Sequence, residues 1–380
     1  MSARASIPDE TAAERFRGDT SVTVVEVPVS VTWRGQPVHG LTARDFEVFD
    51  RGERREIVGF EILESVVPSD PDAGAEAEAD AGKPTGASGG ETPPPHARRH
   101  FLFQFDLAYA GTGALSGAVT AAREMLASTL VPGDRVGVVF FSALRGMTWV
   151  LGLSDEPADV ARALDVMQAV LESDQEAAGK LLQGWDPDPE SLVPATSAPD
   201  HEAILAEAGM SWLQRNDPSW PHVSTFTELS KGMRRIADGT RDLAGRKHLV
   251  QLSNGIPDRL IHNPSLGRPR VLGEIQNVLR EFRRTGWTIQ SVNLAGLGWG
   301  RDSLFVLATD TGGRLYTNSN DVRVLVREME RVTRLTYLLA FQPEDLEPNG
   351  KYHRLEVKLK ERRWGTRVTH RPGYYAPTAP

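Results

Sequence analysis

The chain reads as an α/β protein: an open, mainly parallel sheet covered by helices on both faces, joined to a small β unit built from the two chain ends. Three observations predict this. Buried-type strands alternate with helical spacing from about residue 98 to 335, the pattern of a sheet with crossover helices. Segments 21–66 and 336–377 are β-rich and helix-poor. The first of them is separated from the alternating block by residues 67–97, whose composition supports no packed core.

Taken in order, residues 1–20 form a polar tail without the apolar core of a signal peptide. SVTVVEVPVSVTW (21–33) is a β-branched strand, followed by a turn at Gly35–Pro37. DFEVFDRGERREIVGFEIL (45–63) alternates apolar and polar residues around Arg51–Gly52, which predicts a hairpin. Residues 69–95 contain no aromatic or branched aliphatic residue and hold six acids against one lysine. Such a segment cannot offset its ordering entropy by burial, so it reads as a disordered acidic linker, or alternatively as an acidic docking tail.

The rhythm then changes. HFLFQFDL (100–107), RVGVVFFS (135–142), MTWVLGL (147–153), KHLVQLS (247–253), WTIQSVNL (287–294) and RLYT (314–317) read as strands. Helical spacing covers 115–130, 156–171, 226–244, 271–285, 303–311 and 321–335. Residues 172–224, rich in Pro, Asp, Gly and Ser, read as an insertion above the sheet with a helix at 201–213. The chain returns to β at YLLAFQP (337–343), YHRLEVKLK (352–360) and TRVTHRPGYYAP (366–377).

Composition excludes several functions. The 380 residues carry 43 basic and 51 acidic side chains, net −8, which disfavours whole-chain nucleic-acid binding. No apolar run approaches the roughly 20 residues of a membrane-spanning helix. With zero cysteines there are no disulfides, thiolate zinc sites or cysteine nucleophiles. The nine histidines show no HExxH spacing, QLSNG lacks the first glycine of a nucleophile elbow, and GLGWG (296–300) reads as a loop rather than a dinucleotide fingerprint. Neither catalysis nor a cofactor is expected. The compartment stays open: cytoplasmic as the chain stands, periplasmic or extracellular if a targeting segment lies outside it.

The ordered pieces HFLFQFDLAYA, VPGDRVGVVFFS, LAGRKHLVQLSNG, LATDTGGRLYTNSND, TYLLAFQP and RPGYYAP resemble a bacterial family with a von Willebrand factor type A domain. The opening Gly40, Leu41, Thr42, Asp45, Phe46 and Asp50, Arg51, Gly52 match that family's N-terminal β segment. The resemblance covers about 22–377, apart from the linker and the insertion. It implies a Rossmann-like doubly wound domain at about 98–335, with 172–224 inserted. It also implies a divalent-cation site at the carboxyl ends of the strands, built from Asp-x-Ser-x-Ser, a loop Thr and an Asp. This chain departs from that pattern. Asp106 is followed by Ala108 and Ala110, Asn254 replaces the later Asp, and Thr225 or Thr227 stands for the Thr. Such a degenerate set makes a poor magnesium site, so no metal is expected.

Asp106 is either a relic ligand or a cap for the loop after the first strand. Asn254 before Gly255 suits a turn needing positive φ as well as it suits a weakened ligand. Asp258 could supply a displaced carboxylate. The basic run Lys351, Arg354, Lys358, Lys360, Arg362, Arg363, Arg367 and Arg371 is either a solvated β face or a surface for an acidic partner. Trp212, Trp220 and Trp299 sit in loops, either as interface anchors or as plugs. The expected function is a non-enzymatic protein-interaction or adhesion-like module. It would bind a protein partner through Tyr109, Trp220 and Trp299 at the carboxyl-end face. The alternatives are a metal-dependent binder or hydrolytic enzyme using Asp106 with displaced ligands, and a structural subunit of a larger assembly of unknown stoichiometry.

Overall fold

The computed structural model of the chain describes residues 23–65, 93–128, 130–211, 214, 222–263, 268–296, 300–344 and 346–378. The polar tail, most of the acidic linker and Trp212, Trp220 and Trp299 lie outside the described residues.

The first β block yields β1 (Val25–Trp33), β2 (Gln36–Pro37), β3 (Phe46–Asp50), β4 (Glu53–Arg55) and β5 (Ile57–Glu64). β1 buries Val25, Val27, Val29 and Val31, the inward half of its period-2 pattern. The expected hairpin at 45–63 is shorter than its alternation suggests. β3 and β4 turn at Arg51 (φ 53) and Gly52 (φ 88), and β5 then leaves for a different sheet. Residues 95–97, read as the end of the linker, instead form a 3-10 turn that buries Ala97.

The alternating block comprises β6 (Arg99–Asp106), α1 (Thr112–Ser128), β7 (Arg135–Ser142), β8 (Gly146–Ser154), α2 (Pro157–Glu172), α3 (Gln175–Leu182) and α4 (His201–Ala208). It continues with α5 (His222–Gly239), β9 (Arg246–Ser253), α6 (Asp258–His262), α7 (Arg268–Thr285), β10 (Trp287–Asn293), α8 (Arg301–Thr309), β11 (Leu315–Tyr316) and α9 (Val322–Arg334). The six strands lie in the order β11-β10-β9-β6-β7-β8. All pairs are parallel except β7–β8. Only residues 143–145 join those two strands, too few for a crossover, so the second must run back. β6 is buried along its whole length. Phe101, Phe103 and Phe105 pack with α1, α2 and α9 on one face, while Leu102 and Leu249 pack with α5 and α7 on the other.

The described part of the insertion before residue 212 does not sit above the sheet as its composition suggested. It packs beside α2, burying Ala178, Leu182, Trp185, Leu192 and Ile204 in the first core. Val193 exchanges backbone hydrogen bonds with Leu153 on β8 at 3.1 and 3.2 Å, and the Asp200 N–H donates to the Trp149 carbonyl at 3.1 Å. The segment thereby covers the open edge of β8, where unpaired backbone groups need partners.

The chain ends with β12 (Leu335–Phe341), β13 (Tyr352–Leu359), β14 (Thr366–His370) and β15 (Gly373–Tyr375). One sheet has the order β14-β1-β12-β5 and the other β15-β13-β3-β4. They share a core of Val27, Val29, Phe46, Val48, Tyr337, Leu339, Leu355 and Val357. The run 366–377 is therefore two strands in two sheets rather than one. It breaks at Arg371–Pro372, since proline cannot donate to a ladder.

Candidate functional site

Asp106 ends β6 at the carboxyl edge of the parallel strands, with no solvent exposure. One carboxylate oxygen accepts the backbone N–H groups of Ala108 (3.2 Å) and Tyr109 (3.1 Å), the local bonding of an Asx turn. The other accepts the Ser253 hydroxyl at 2.5 Å. Ser253 Oγ in turn accepts the Gly255 N–H at 2.9 Å. Burial pushes the Asp106 carboxyl up from 3.8 to about 6, with the three hydrogen bonds pulling the other way. Gly255 has φ 77, and a Cβ there would lie 2.1 Å from the Gly300 carbonyl oxygen, so the turn at 254–255 requires glycine.

The remaining positions of the expected cation site are brought near this end of the sheet with other duties. Ala110 is buried in the first core, and Ala108 packs on the second. Asn254 is partly buried, and among the described residues neither its Oδ1 nor Asp258 Oδ1 has a hydrogen-bond partner. Thr225 and Thr227 lie on α5 and not in a loop, and the Thr227 hydroxyl donates to its own helix at Val223 O, 2.9 Å. The helix starts at His222, four residues before its sequence reading, and Val223 in the added turn packs on the second core with Phe226, Leu229, Met233 and Ile236. Both Asp106 oxygens thus serve the protein's own donors, and two positions lack side-chain oxygen. The donor set does not fit a divalent cation. Among the described residues no group of three His, Asp or Glu side chains has a metal-holding arrangement.

Of the three expected partner-binding residues, the described structure places Tyr109 alone. Its hydroxyl donates to His222 O at 3.0 Å, its ring stacks on His222, and its side chain packs on the second core. Two exposed features escaped the sequence reading. Leu144, in the β7–β8 turn at the same end, is 56% exposed. In the β unit, Trp364 is 89% exposed and its carbonyl accepts the indole N–H of Trp33 at 3.2 Å. Arg34 lies 4.8 Å from the Trp33 ring. The signal for Trp364 was present, a lone aromatic in the polar run ERRWG. The basic run divides: Arg354 and Lys358 occupy the solvent face of β13, Lys351 is exposed just before it, and Arg371 turns toward the α/β domain.

No family model and no curated protein matches the chain. Among solved structures it is similar to proximal thread matrix protein 1 from the mussel byssus, at 13% identity and TM-score 0.35 over 65% of this chain and 49% of that one. It is also similar to the human COPII-coat protein Sec24c, at 11% identity and TM-score 0.32 over 76% of this chain and 44% of that one. The chain thus spans about half the length of these neighbours, and scores of this size carry no argument about what it does. No helix among the described residues is long and apolar enough to cross a membrane.

Proposed function

We propose that the chain is a non-enzymatic, metal-independent protein-interaction module, built on a doubly wound type A-like domain with a degenerate metal site. The observation carrying this reading is the Asp106 carboxylate, which faces inward and spends both oxygens on Ser253, Ala108 and Tyr109. A carboxylate used this way has three of its roughly four acceptor sites taken by the protein's own donors, and Ala108 and Ala110 add no oxygen beside it. Binding then rests on apolar burial with a polar rim, concentrated in a few aromatic and arginine anchors.

The proposed surface is the carboxyl-end face, with Trp220 and Trp299 as anchors. The test is a pull-down from the native host followed by binding isotherms. Trp220→Ala or Trp299→Ala weakens partner binding by about 2 kcal/mol or more, whereas Asp106→Asn and chelators leave it unchanged. Strong loss with Asp106→Asn and none with either tryptophan would overturn the reading. A second surface is favoured by the exposed Trp33–Arg34–Trp364 tip, whose composition is that of interface hot spots. Trp364→Ala with a larger loss than either loop tryptophan would move the interface there. Light scattering separates both from a structural subunit that assembles with itself.

A further inference from the structure

A cavity of about 810 Å³ lies between the β unit and the amino ends of the parallel strands, opposite the Asp106 end. Its volume is that of a small-molecule site. The β unit contributes residues of β1, β12 and the 369–378 segment; the sheet contributes the starts of β9 and β10 and the turn before β11. The lining is apolar in part, including Val25, Phe282, Trp287, Leu338 and Tyr374.

Its polar part is one-sided. Three of its cations meet only neutral oxygens. Arg246 donates to the carbonyls of Ala97 and Thr333 and to the Thr336 hydroxyl. Lys247 donates to the carbonyls of Thr240 and Arg241, and Arg371 to the backbone oxygen of Glu26. Among the described residues Glu26 is the one carboxylic residue in the lining. Among the described residues, five that line the cavity keep buried polar atoms without a partner: Nε of Arg246 and of Arg371, Nε and Nη1 of Arg314, Nε2 of His248, and Oη of Tyr316.

These cations are withdrawn from water without a direct ion pair among the described residues, the acids Asp134, Asp242 and Glu26 acting on Arg246, Lys247 and Arg371 only through space, and the cost appears as lowered proton affinity. Burial brings Arg246 down to about 9 and Lys247 down to about 8, and it lowers Arg371 as well. An anion entering the cavity would reverse that cost and meet guanidinium groups shaped for carboxylate or phosphate.

We propose that this cavity binds a small organic anion: a carboxylate or phosphate head drawn to the wall that carries Arg246, Lys247 and Arg371, on an apolar body lying against Trp287 and Leu338. The site is independent of the partner surface argued above. It would make the contact between the β unit and the α/β domain responsive to a metabolite.

Calorimetric titration of the full chain with phenyl phosphate, benzoate, inorganic phosphate and benzyl alcohol tests it. Phenyl phosphate or benzoate binds, and the tighter of the two identifies the head group. Inorganic phosphate binds about tenfold more weakly, and benzyl alcohol gives no binding heat. Lys247→Gln and Arg371→Gln each weaken the organic anion by about tenfold or more, the scale of a hydrogen bond to a charged group. Because these changes touch packed residues, Ser30→Phe serves as a second kind of variant: it narrows the cavity without removing a charge and gives the same loss. Melting curves confirm that each variant is folded. The proposal is overturned if neither organic anion binds at millimolar concentration, if benzyl alcohol binds equally well, or if inorganic phosphate matches phenyl phosphate. Unchanged affinity in the folded variants also overturns it.

Discussion

The two ends of the parallel sheet both bury an ionisable group whose hydrogen bonds go to neutral partners, and they treat it differently. At the carboxyl end, Asp106 is met by three donors within its own turn and the neighbouring strand, so both oxygens are satisfied. At the amino end, Arg246, Lys247 and Arg371 meet carbonyl and hydroxyl oxygens, yet guanidinium nitrogens and the His248 and Tyr316 side chains keep atoms unpaired beside an open cavity. A closed network stabilises a fold. An open one, with room next to it, is where a ligand supplies what is missing.

The largest expected effect breaks one end and spares the other. Deleting residues 1–65 removes β1 from between β12 and β14, and with it part of the cavity wall. The C-terminal strands should become protease-sensitive while β6 and β9 stay protected, read by limited proteolysis with mass spectrometry. Continued protection of residues 352–375 would show that β1 does not hold that sheet together.

Next in size, Asp106→Ala leaves the Ser253 hydroxyl and two backbone N–H groups without their acceptor. Urea denaturation should show a loss of about 3 kcal/mol. Asp106→Asn keeps an acceptor for the turn and should cost clearly less. Equal stability of Asp106→Ala and wild type would mean that the network is not closed in the way described.

The two ends should also answer pH with opposite slopes. The folded protein raises Asp106 from 3.8 to about 6, so its contribution is fully present below pH 3.8 and is lost as pH rises through 6. Lys247 is lowered from 10.5 to about 8, so its contribution is present above 10.5 and is lost as pH falls through 8. Relative to Asp106→Asn, the wild type should weaken by about 2 kcal/mol between pH 4 and 7. Relative to Lys247→Met, it should strengthen by about 1–2 kcal/mol between pH 8 and 10, partial solvent access reducing the effect. Denaturation midpoints of the three proteins across pH check both signs.

The smallest expected effect is none. A cation at 100 times its dissociation constant would add about 2.7 kcal/mol. Magnesium in millimolar excess should leave the melting temperature unchanged, because the Asp106 oxygens are already taken. An EDTA-reversible rise would reopen the carboxyl end as a metal site.

What the sequence by itself determined is local. The buried strand at 100–107, the helices at 156–171 and 321–335, and the Arg51–Gly52 turn all lie within windows where period and turn chemistry speak for themselves. The lack of side-chain oxygen at Ala108 and Ala110 was equally readable, since it is visible in the letter alone. Only the tertiary structure decided the rest. Composition could not tell that the insertion lines the edge of β8, that the helix read from 226 also takes in Thr225, or that residues 366–377 divide between two sheets. Nor could it tell which arginines of a basic run are solvated and which face a cavity. Arg371 reaches the backbone of Glu26 across 345 positions of chain, with Arg246 lining the same space. Hydrophobic period is set between near neighbours, whereas the pairing and orphaning of buried charges depends on groups that only the packed fold brings together.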